Sequence, residues 1–402
     1  MLPQPQMDDR VANRPAGVVI LGGAHGTLAL ARSLGAQKVP VWLVSNDTPL
    51  PSFSRYARRT TTWPGPDDGG AVAFLLDLAK VQGLGGFLLI PGGDPEVRFV
   101  SQSIEQLSTA FDVVLPPWQQ LKWVCEKPLL YRRARELALA VPQTYEITSL
   151  EQATAAELRF PVILKPNMGG RSRFARAKAV LANDLKSFLA AYKWAAEEIG
   201  SENVVVQEMI PGGGESQFSY AALWNEGVPV AEFTARRTRQ YPVDFGYTST
   251  FVEVVDEPQL IDTARRLLGS IAHHGLVEVE FKRDARDGSM KVLDVNPRPW
   301  TWFGLGAAAG VDLGAVLWGI KSGQTVETAS ARPATSWMYL VRDMVAAGKL
   351  ISSGRLTKRV YLSSFAKVRA WATFATNDPM PGLIDLPLTA WRVLTRRIFR
   401  LL

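Results

Sequence analysis

The chain has 402 residues, 47% hydrophobic and 21% charged, which excludes a disordered polymer and suggests two or three domains with a large apolar core. One cysteine, Cys125, and three histidines exclude an intrachain disulfide framework and argue against a cysteine- or histidine-rich metal site, so a catalytic metal would have oxygen ligands. The net charge of +7 is uneven: residues 332–402 carry 12 Lys+Arg and 3 Asp+Glu, leaving 33 and 35 for the preceding residues, so the main body is slightly acidic and does not read as nucleic-acid-binding.

Residues 1–17 hold Asp8, Asp9 and three prolines without an apolar stretch, unlike a signal peptide. No run reaches the ~18 uninterrupted apolar residues of a spanning helix, and a cytoplasmic location is predicted. The apolar run 18–21 followed by Gly22-Gly-Ala-His-Gly26 predicts a strand turning into a helix over 28–34. Further strands are predicted at 39–44, 86–90 and 113–115, with helices over 74–81 and 97–107. This alternation predicts an open parallel α/β sheet, a Rossmann-like domain over residues 15–118. Gly22 and Gly26 bracket the turn with no glycine at position 24, so the Gly-x-Gly-x-x-Gly spacing of a dinucleotide loop is missing, although Asp47 lies about where a ribose-binding acid would be. Asp94, after Pro91-Gly-Gly93, reads as a helix N-cap before Pro95 or as a substrate-facing carboxylate.

A second α/β region follows. Lys127 opens a predicted helix to Ala140, a strand at 162–165 enters a glycine-containing loop, and a helix covers 183–199. The strand 204–208 ends at Ile210-Pro-Gly-Gly-Gly214. Two hairpins are predicted: 218–224 with 228–233 around Asn225-Glu-Gly227, and 277–282 with 290–295 across Arg286-Asp-Gly288. A long helix over 258–274 separates them, and from residue 332 the chain reads as helical and basic.

Three signals in this region carry chemistry. Lys165 ends a strand before Pro166-Asn-Met-Gly-Gly170, where a lysine reaches nucleotide phosphates and glycines let amides approach them; a plain strand-end surface lysine is the alternative. Gln207, Glu208, Met209 and Ile210 close a buried strand, offering a backbone edge to a purine, and Glu215 lies seven residues after Glu208, in reach of ribose hydroxyls. Glu280 and Asp294 sit near the ends of two hairpin strands with Asn296 following, a set of oxygen ligands suited to Mg²⁺. Both strands are otherwise apolar, where an unpaired carboxylate is costly.

Taken together, the strand-end lysine, the Gln-Glu strand end, the glutamate seven residues on and Glu280…Asp294-Val-Asn-Pro-Arg298 resemble the ATP-grasp superfamily, and most of all its carboxylate–amine ligases of the D-aspartate-ligase-like group. Ser54-Arg-Tyr56, Glu280-Phe-Lys-Arg-Asp284 and Asn296-Pro-Arg-Pro-Trp300 are similar to features of that group. The resemblance runs from about Gly17 to Gly319. It implies a Rossmann-like pre-ATP-grasp domain (15–118), an ATP-grasp fold of two α+β subdomains (119–325, with a lid at about 141–207) and a basic helical tail (326–402). It implies that Lys127 and Lys165 hold ATP phosphates, that Glu208 and the backbone near Ile210 face adenine, and that Glu215 faces the ribose. Gln207, Met209 and Lys282 join this cofactor set. Glu280, Asp294 and Asn296 are implied as ligands of Mg²⁺ (or Mn²⁺), with Asp294 standing where glutamate is more usual. Arg298 is implied at the transferred phosphate or the carboxylate, and Arg239, with Arg237, on a mobile cationic arm. Whether Asp94, Arg171 and Arg237 contact substrate stays open.

The implied reaction is ATP-dependent amide formation through an acyl phosphate, from a small carboxylate and an amine. A non-catalytic ATP-binding regulator of the same fold is the alternative. A biotin-dependent carboxylase would normally need a Met-Lys-Met acceptor module, which the chain lacks. In the tail, Trp391, Leu394, Ile398, Leu401 and Leu402 fall on one helical face and Arg392, Arg396, Arg397 and Arg400 opposite. That helix reads as packed on the core or on a second subunit of a homodimer, or as an interfacial helix on anionic lipid.

Overall fold

The computed structural model describes residues 14–23, 25–46, 50–168, 172–177, 179–244 and 248–398. The expectations resting on Asp47, Arg171, most of the glycine loop after Met168 and the side chains beyond Trp391 lie outside the described residues.

Five short strands, β1 (Val18–Leu21), β2 (Val41–Val44), β3 (Ala57–Thr61), β4 (Phe87–Pro91) and β5 (Phe111–Val113), form a parallel sheet in the order β3-β2-β1-β4-β5. β1, β2 and β4 are apolar throughout because helices or neighbouring strands cover both faces. The edge strand β3, Ala-Arg-Arg-Thr-Thr, is largely exposed and carries no apolar signature, which is why periodicity misses it. β5 starts two residues before the predicted strand and is three residues long.

Four strands, β6 (Thr144–Tyr145), β7 (Val162–Pro166), β8 (Val180–Ala182) and β9 (Val204–Glu208), form a small antiparallel sheet in the order β6-β9-β7-β8. Helix Leu185–Ile199 packs on it and supplies Phe188, Tyr192 and Ala195 to a core separate from the two larger ones. That helix starts at a capping box, Asp184 and Ser187 satisfying each other's amides.

The largest sheet has seven strands: β10 (Gln217–Asn225), β11 (Val228–Tyr241), β12 (Thr248–Val255), β13 (Gly275–Arg283), β14 (Met290–Asn296), β15 (Ser336–Met338) and β16 (Val368–Trp371), in the order β14-β13-β10-β11-β12-β15-β16. The β10/β11 turn has both central residues, Glu226 (φ 48°) and Gly227 (φ 81°), in the left-handed region, which suits a two-residue hairpin. β11 runs eight residues past its predicted end, to Tyr241, so the stretch around Arg237 and Arg239 is a paired strand and no mobile arm. One face of this sheet changes character along its strands. Leu276, Ala221, Leu223, Phe233 and Val254 pack into an apolar core with the first sheet, while Glu278, Glu280, Ser219 and Arg237 continue the same face as a polar patch.

The segment after residue 325 is not wholly helical. Besides helices Leu340–Ser352, Lys358–Ser364 and Met380–Ile398 it adds β15 and β16 to the large sheet, so its short Ser-Trp-Met and Val-Arg-Ala-Trp stretches are strands. Its main tie to the first sheet's domain is Asp378, which is buried and accepts from Arg32 (2.8 Å), Ser54 Oγ (2.7 Å) and the Arg55 amide (2.9 Å). Asn377 donates to the Tyr56 hydroxyl. Ser54-Arg-Tyr56 is thus the docking place of the tail. Replacing Asp378 with Ala leaves a largely buried guanidinium with two backbone carbonyls but no carboxylate, and urea denaturation should show a loss of about 3 kcal/mol; an unchanged midpoint would contradict this assignment.

Candidate functional site

Opposite residues of the β13/β14 ladder are Glu280 with Asp294 and Glu278 with Asn296, so four oxygen-bearing side chains share one face. The Asn296 amide nitrogen donates to Glu278 and to Glu280, each at 3.1 Å, and so bridges two carboxylates. A register shift after Glu280 leaves Leu293 as the extra residue of a bulge, and its carbonyl accepts the Tyr131 hydroxyl at 2.8 Å. Glu278 is 2% exposed, and burial, then the charge of Glu280, pushes its carboxyl up to about 7. Glu278 escapes the sequence reading although the i, i+2 spacing to Glu280 in Val-Glu-Val-Glu-Phe is a same-face signal.

Cations converge on this face from separate elements. Lys127, first residue of helix Lys127–Glu136, is buried with its ammonium 3.1 and 3.0 Å from the two oxygens of Asp294. Burial works against its charge, but Asp294, Asp94 and Glu280 outweigh it and raise its pKa. Its backbone amide donates to the Asn167 carbonyl just beyond β7, which brings the end of that strand, with Lys165, to the same place. Burial and the Lys127 charge draw the Lys165 ammonium down to about 8. Arg237, on β11, donates to Gln217 Oε1 (2.5 Å) and lies 3.5 Å from Glu280 Oε2. Arg298 donates to Asn296 Oδ1 at 3.1 Å and to Asp94 from the first sheet's domain.

Asp94 is not the N-cap of its helix. Gly93 holds that position, and Asp94 is the first helical residue with its carboxylate turned to Arg298. With Cys125, Lys127, Met168, Asp294 and Asn296 it lines a recess at the meeting of the three sheets' domains. Gly26 explains the glycine loop after β1, because a Cβ there would lie 2.4 Å from the Trp300 carbonyl oxygen. The helix start therefore abuts the Asn296–Trp300 segment.

Several expected site residues lie elsewhere or are already engaged. Arg239 is buried on the opposite side of β11, its guanidinium 2.9 and 2.8 Å from the two oxygens of Asp343 and 3.2 Å from Ser364, and its place on a catalytic arm is corrected. Residues i and i+2 of a regular strand share a face, but the register shifts between Arg237 and Arg239 and turns the second arginine away. Gln207 is fully buried, donating to Thr144 Oγ1 and accepting from Tyr131, so its side chain is engaged within the protein. The Glu208 carboxylate is tied to Arg286 (2.6 Å), Lys291 (3.0 Å) and the Gln143 amide, and the amides of Glu208 and Met209 donate to Gln143 and Pro161 carbonyls. Both oxygens of the Glu208 carboxylate are therefore engaged by protein donors. Ile210 is buried just after β9. Lys282 donates to the Gly212 carbonyl at 2.8 Å and pins the glycine loop. Glu215 is exposed on that loop and accepts the Gly213 amide.

Glu280, Asp294 and Asn296 supply hard oxygen donors, the class that Mg²⁺ takes. Among the described residues no three Asp, Glu, His or Cys side chains form a cage on their own, so a metal here would complete its shell with water and phosphate oxygens. The surrounding lysines and arginines suit the polyphosphate that would bring those oxygens.

No family model and no curated protein matches the chain. Solved structures do. It is similar to the biotin carboxylase domain of Hydrogenobacter thermophilus 2-oxoglutarate carboxylase, crystallised with MgADP, ADP and bicarbonate, at 14% identity and a TM-score of 0.63 over 80% of this chain and 73% of that one. It is similar to an L-amino acid ligase from Bacillus licheniformis at 15% identity and 0.60 over 80% and 79%. It is also similar to the N5-carboxyaminoimidazole ribonucleotide synthetase of Thermus thermophilus at 14% and 0.58 over 78% and 81%.

Lys165 makes one property of the site measurable. Its pKa of about 8 means that it is about half deprotonated at pH 8, and an adjacent polyphosphate favours the charged form. Calorimetry of ATP binding at pH 8 in buffers of different ionisation enthalpy should therefore show proton uptake, and Lys165→Met should lose it; equal uptake in the variant would exclude Lys165. With its parallel first sheet, its small and large antiparallel-rich sheets and the structures it resembles, the chain has the ATP-grasp fold.

Proposed function

We propose that the protein is an ATP-dependent ligase that joins a carboxylate to an amine. The observation that supports this most is the convergence of Glu280, Asp294 and Asn296 with Lys127, Lys165 and Arg298 where three structural units meet. In this reading the γ-phosphoryl of ATP passes to a carboxylate oxygen, giving an acyl phosphate and ADP. The amine nitrogen then attacks the acyl carbon, phosphate leaves, the nitrogen loses a proton and an amide is formed. Mg²⁺ (or Mn²⁺), held by Glu280, Asp294 and Asn296, would neutralise charge on the phosphoryl group in flight.

Each neighbouring side chain has a part in this reading. Lys127 and Lys165 would grip the phosphates, Lys127 from its place beside Asp294. Arg237, in place of Arg239, faces the transferred phosphoryl beside Glu280. Arg298 orients the carboxylate, with its guanidinium held in turn by Asp94. Glu215 and the loop pinned by Lys282 lie at the ribose end. Residues 15–118, 119–325 and 326–402 act as the pre-ATP-grasp domain, the ATP-grasp body and the tail. The unit at about 141–207, with a core of its own, is suited to close as a lid and keep water from the acyl phosphate. The absence of a covalent enzyme intermediate in this reading fits a chain whose Cys125 thiol is pushed up by burial and by Asp94 and Asp294, out of the range of a nucleophile.

Hydroxylamine, ATP, Mg²⁺ and a panel of carboxylates should yield a hydroxamate, and Glu280→Gln should lower its rate by about 100-fold or more. Nucleotide binding without phosphate release across a carboxylate-by-amine matrix would instead favour a non-catalytic regulator. The two arginines of β11 separate by readout. Arg237→Met should lower kcat with little change in melting temperature. Arg239→Met leaves Asp343 buried without its cation, so stability should fall by about 3–5 kcal/mol.

A further inference from the structure

Of the fifteen exposed large hydrophobic side chains among the described residues, ten fall between Leu340 and Trp391. Nine of them lie on the tail helices, among them Met344 and Val345 on Leu340–Ser352, Val360 and Leu362 on Lys358–Ser364, and Leu383 and Leu386 on Met380–Ile398, and the tenth, Phe374, lies between β16 and the last helix. The last helix is inverted for a soluble protein, since its inner side carries the buried Asp385 while leucines 383 and 386 are about 60% exposed.

The charge of the same region is sorted in the opposite sense. Residues 332–402 contain only three side-chain carboxylates, and all three are buried. Asp343 takes Arg239, Asp378 takes Arg32 and Ser54, and Asp385 takes the Tyr339 hydroxyl at 3.1 Å. These contacts fasten the tail helices to the large sheet and the first domain, and they remove every side-chain carboxylate of the tail from its surface. Lys349 remains exposed on the helix that carries Met344 and Val345, Lys358 and Arg359 on the helix that carries Val360 and Leu362, and Arg369 on β16. The outer surface of the tail is therefore apolar and cationic at once.

We propose that this outer surface of the tail helices docks on a membrane surface rich in anionic phospholipid. Such a surface takes both halves of the pattern, apolar side chains at the acyl boundary and Lys and Arg among the headgroups. A second copy of the chain would set the same cationic patch against itself. A nucleic acid would match the charge and leave the ten apolar side chains in water. No helix of the described residues is long and apolar enough to cross a membrane, so the contact is peripheral.

The test is sedimentation of the full chain with vesicles of phosphatidylcholine alone and of phosphatidylcholine with phosphatidylglycerol. At ~20 mM salt it should sediment with the anionic vesicles only, and ~500 mM salt, with a Debye length of about 4 Å, should release it. Lys358→Gln combined with Arg359→Gln should weaken partitioning by about 25-fold. Leu383→Asp combined with Leu386→Asp should abolish it with the melting temperature and ATP binding unchanged. Three outcomes would overturn the proposal: equal binding to neutral vesicles, no binding to anionic vesicles at low salt, or binding that neither pair of substitutions weakens. Without vesicle binding, a dimer in light scattering that Leu383→Asp dissociates would assign the face to a second copy, and retention by RNA would assign it to a nucleic acid.

Discussion

The cost of placing carboxylates side by side on one face of a β-hairpin governs the centre of this molecule. Glu278 is almost fully buried, Glu280 lies two residues on, and Asp294 stands opposite it. Left alone, three such groups would repel one another in a medium that solvates them poorly. The structure meets that repulsion in two ways. One amide, Asn296, donates to two of the carboxylates, and cations arrive from three different places: Lys127 from the helix after the first sheet, Arg237 from β11 and Arg298 from the segment after β14. The first sheet contributes in turn through Asp94, which fixes Arg298. The domains thus meet where they do partly because the hairpin's charges need partners that no single domain supplies.

The same logic recurs at the tail, with a different result. There the carboxylates are few, and each is drawn inward to a partner on another element. Asp343 and Asp378 neutralise buried or nearly buried arginines, and Asp385 meets a tyrosine hydroxyl, so the interior gains ties while the exterior loses negative charge. What is left outside is the cationic and apolar surface, as a consequence of how the interior is held together.

Much of the fold was legible in the sequence because it rests on short-range patterns. Continuous apolar runs mark β1, β2 and β4, and alternation with a turn marks each hairpin. The short strands at or near sheet edges were harder to see. β3 is arginine- and threonine-rich, and β15 and β16 are short and bounded by helices, so their pairing depends on neighbours distant in the chain. The tail for that reason read as helical. Within the site, Glu280, Asp294 and Asn296 were legible because they are locally spaced on two strands of one hairpin, and Lys127 and Lys165 because they sit at element boundaries. Glu278 carried a same-face signal, but its burial came from the strands and helices around it.

Arg237 and Arg239 show most plainly what sequence cannot settle. Two residues apart on a strand, they have the same local claim to the site. A bulge, set by how β11 and β12 pair, sends one to Glu280 and the other to Asp343. Gln207 and Glu208 follow the same rule: both close a strand, but the partners that engage them, Tyr131, Lys291 and Arg286, come from elsewhere in the chain. The sequence by itself determined most of the elements with strong local patterns, the pool of lysines and carboxylates from which the candidate site is drawn, and that the tail carries the positive charge. Only the tertiary structure decided which of those charges are spent on holding domains together and which remain facing the cleft or the solvent, because that depends on partners set by long-range packing and strand register.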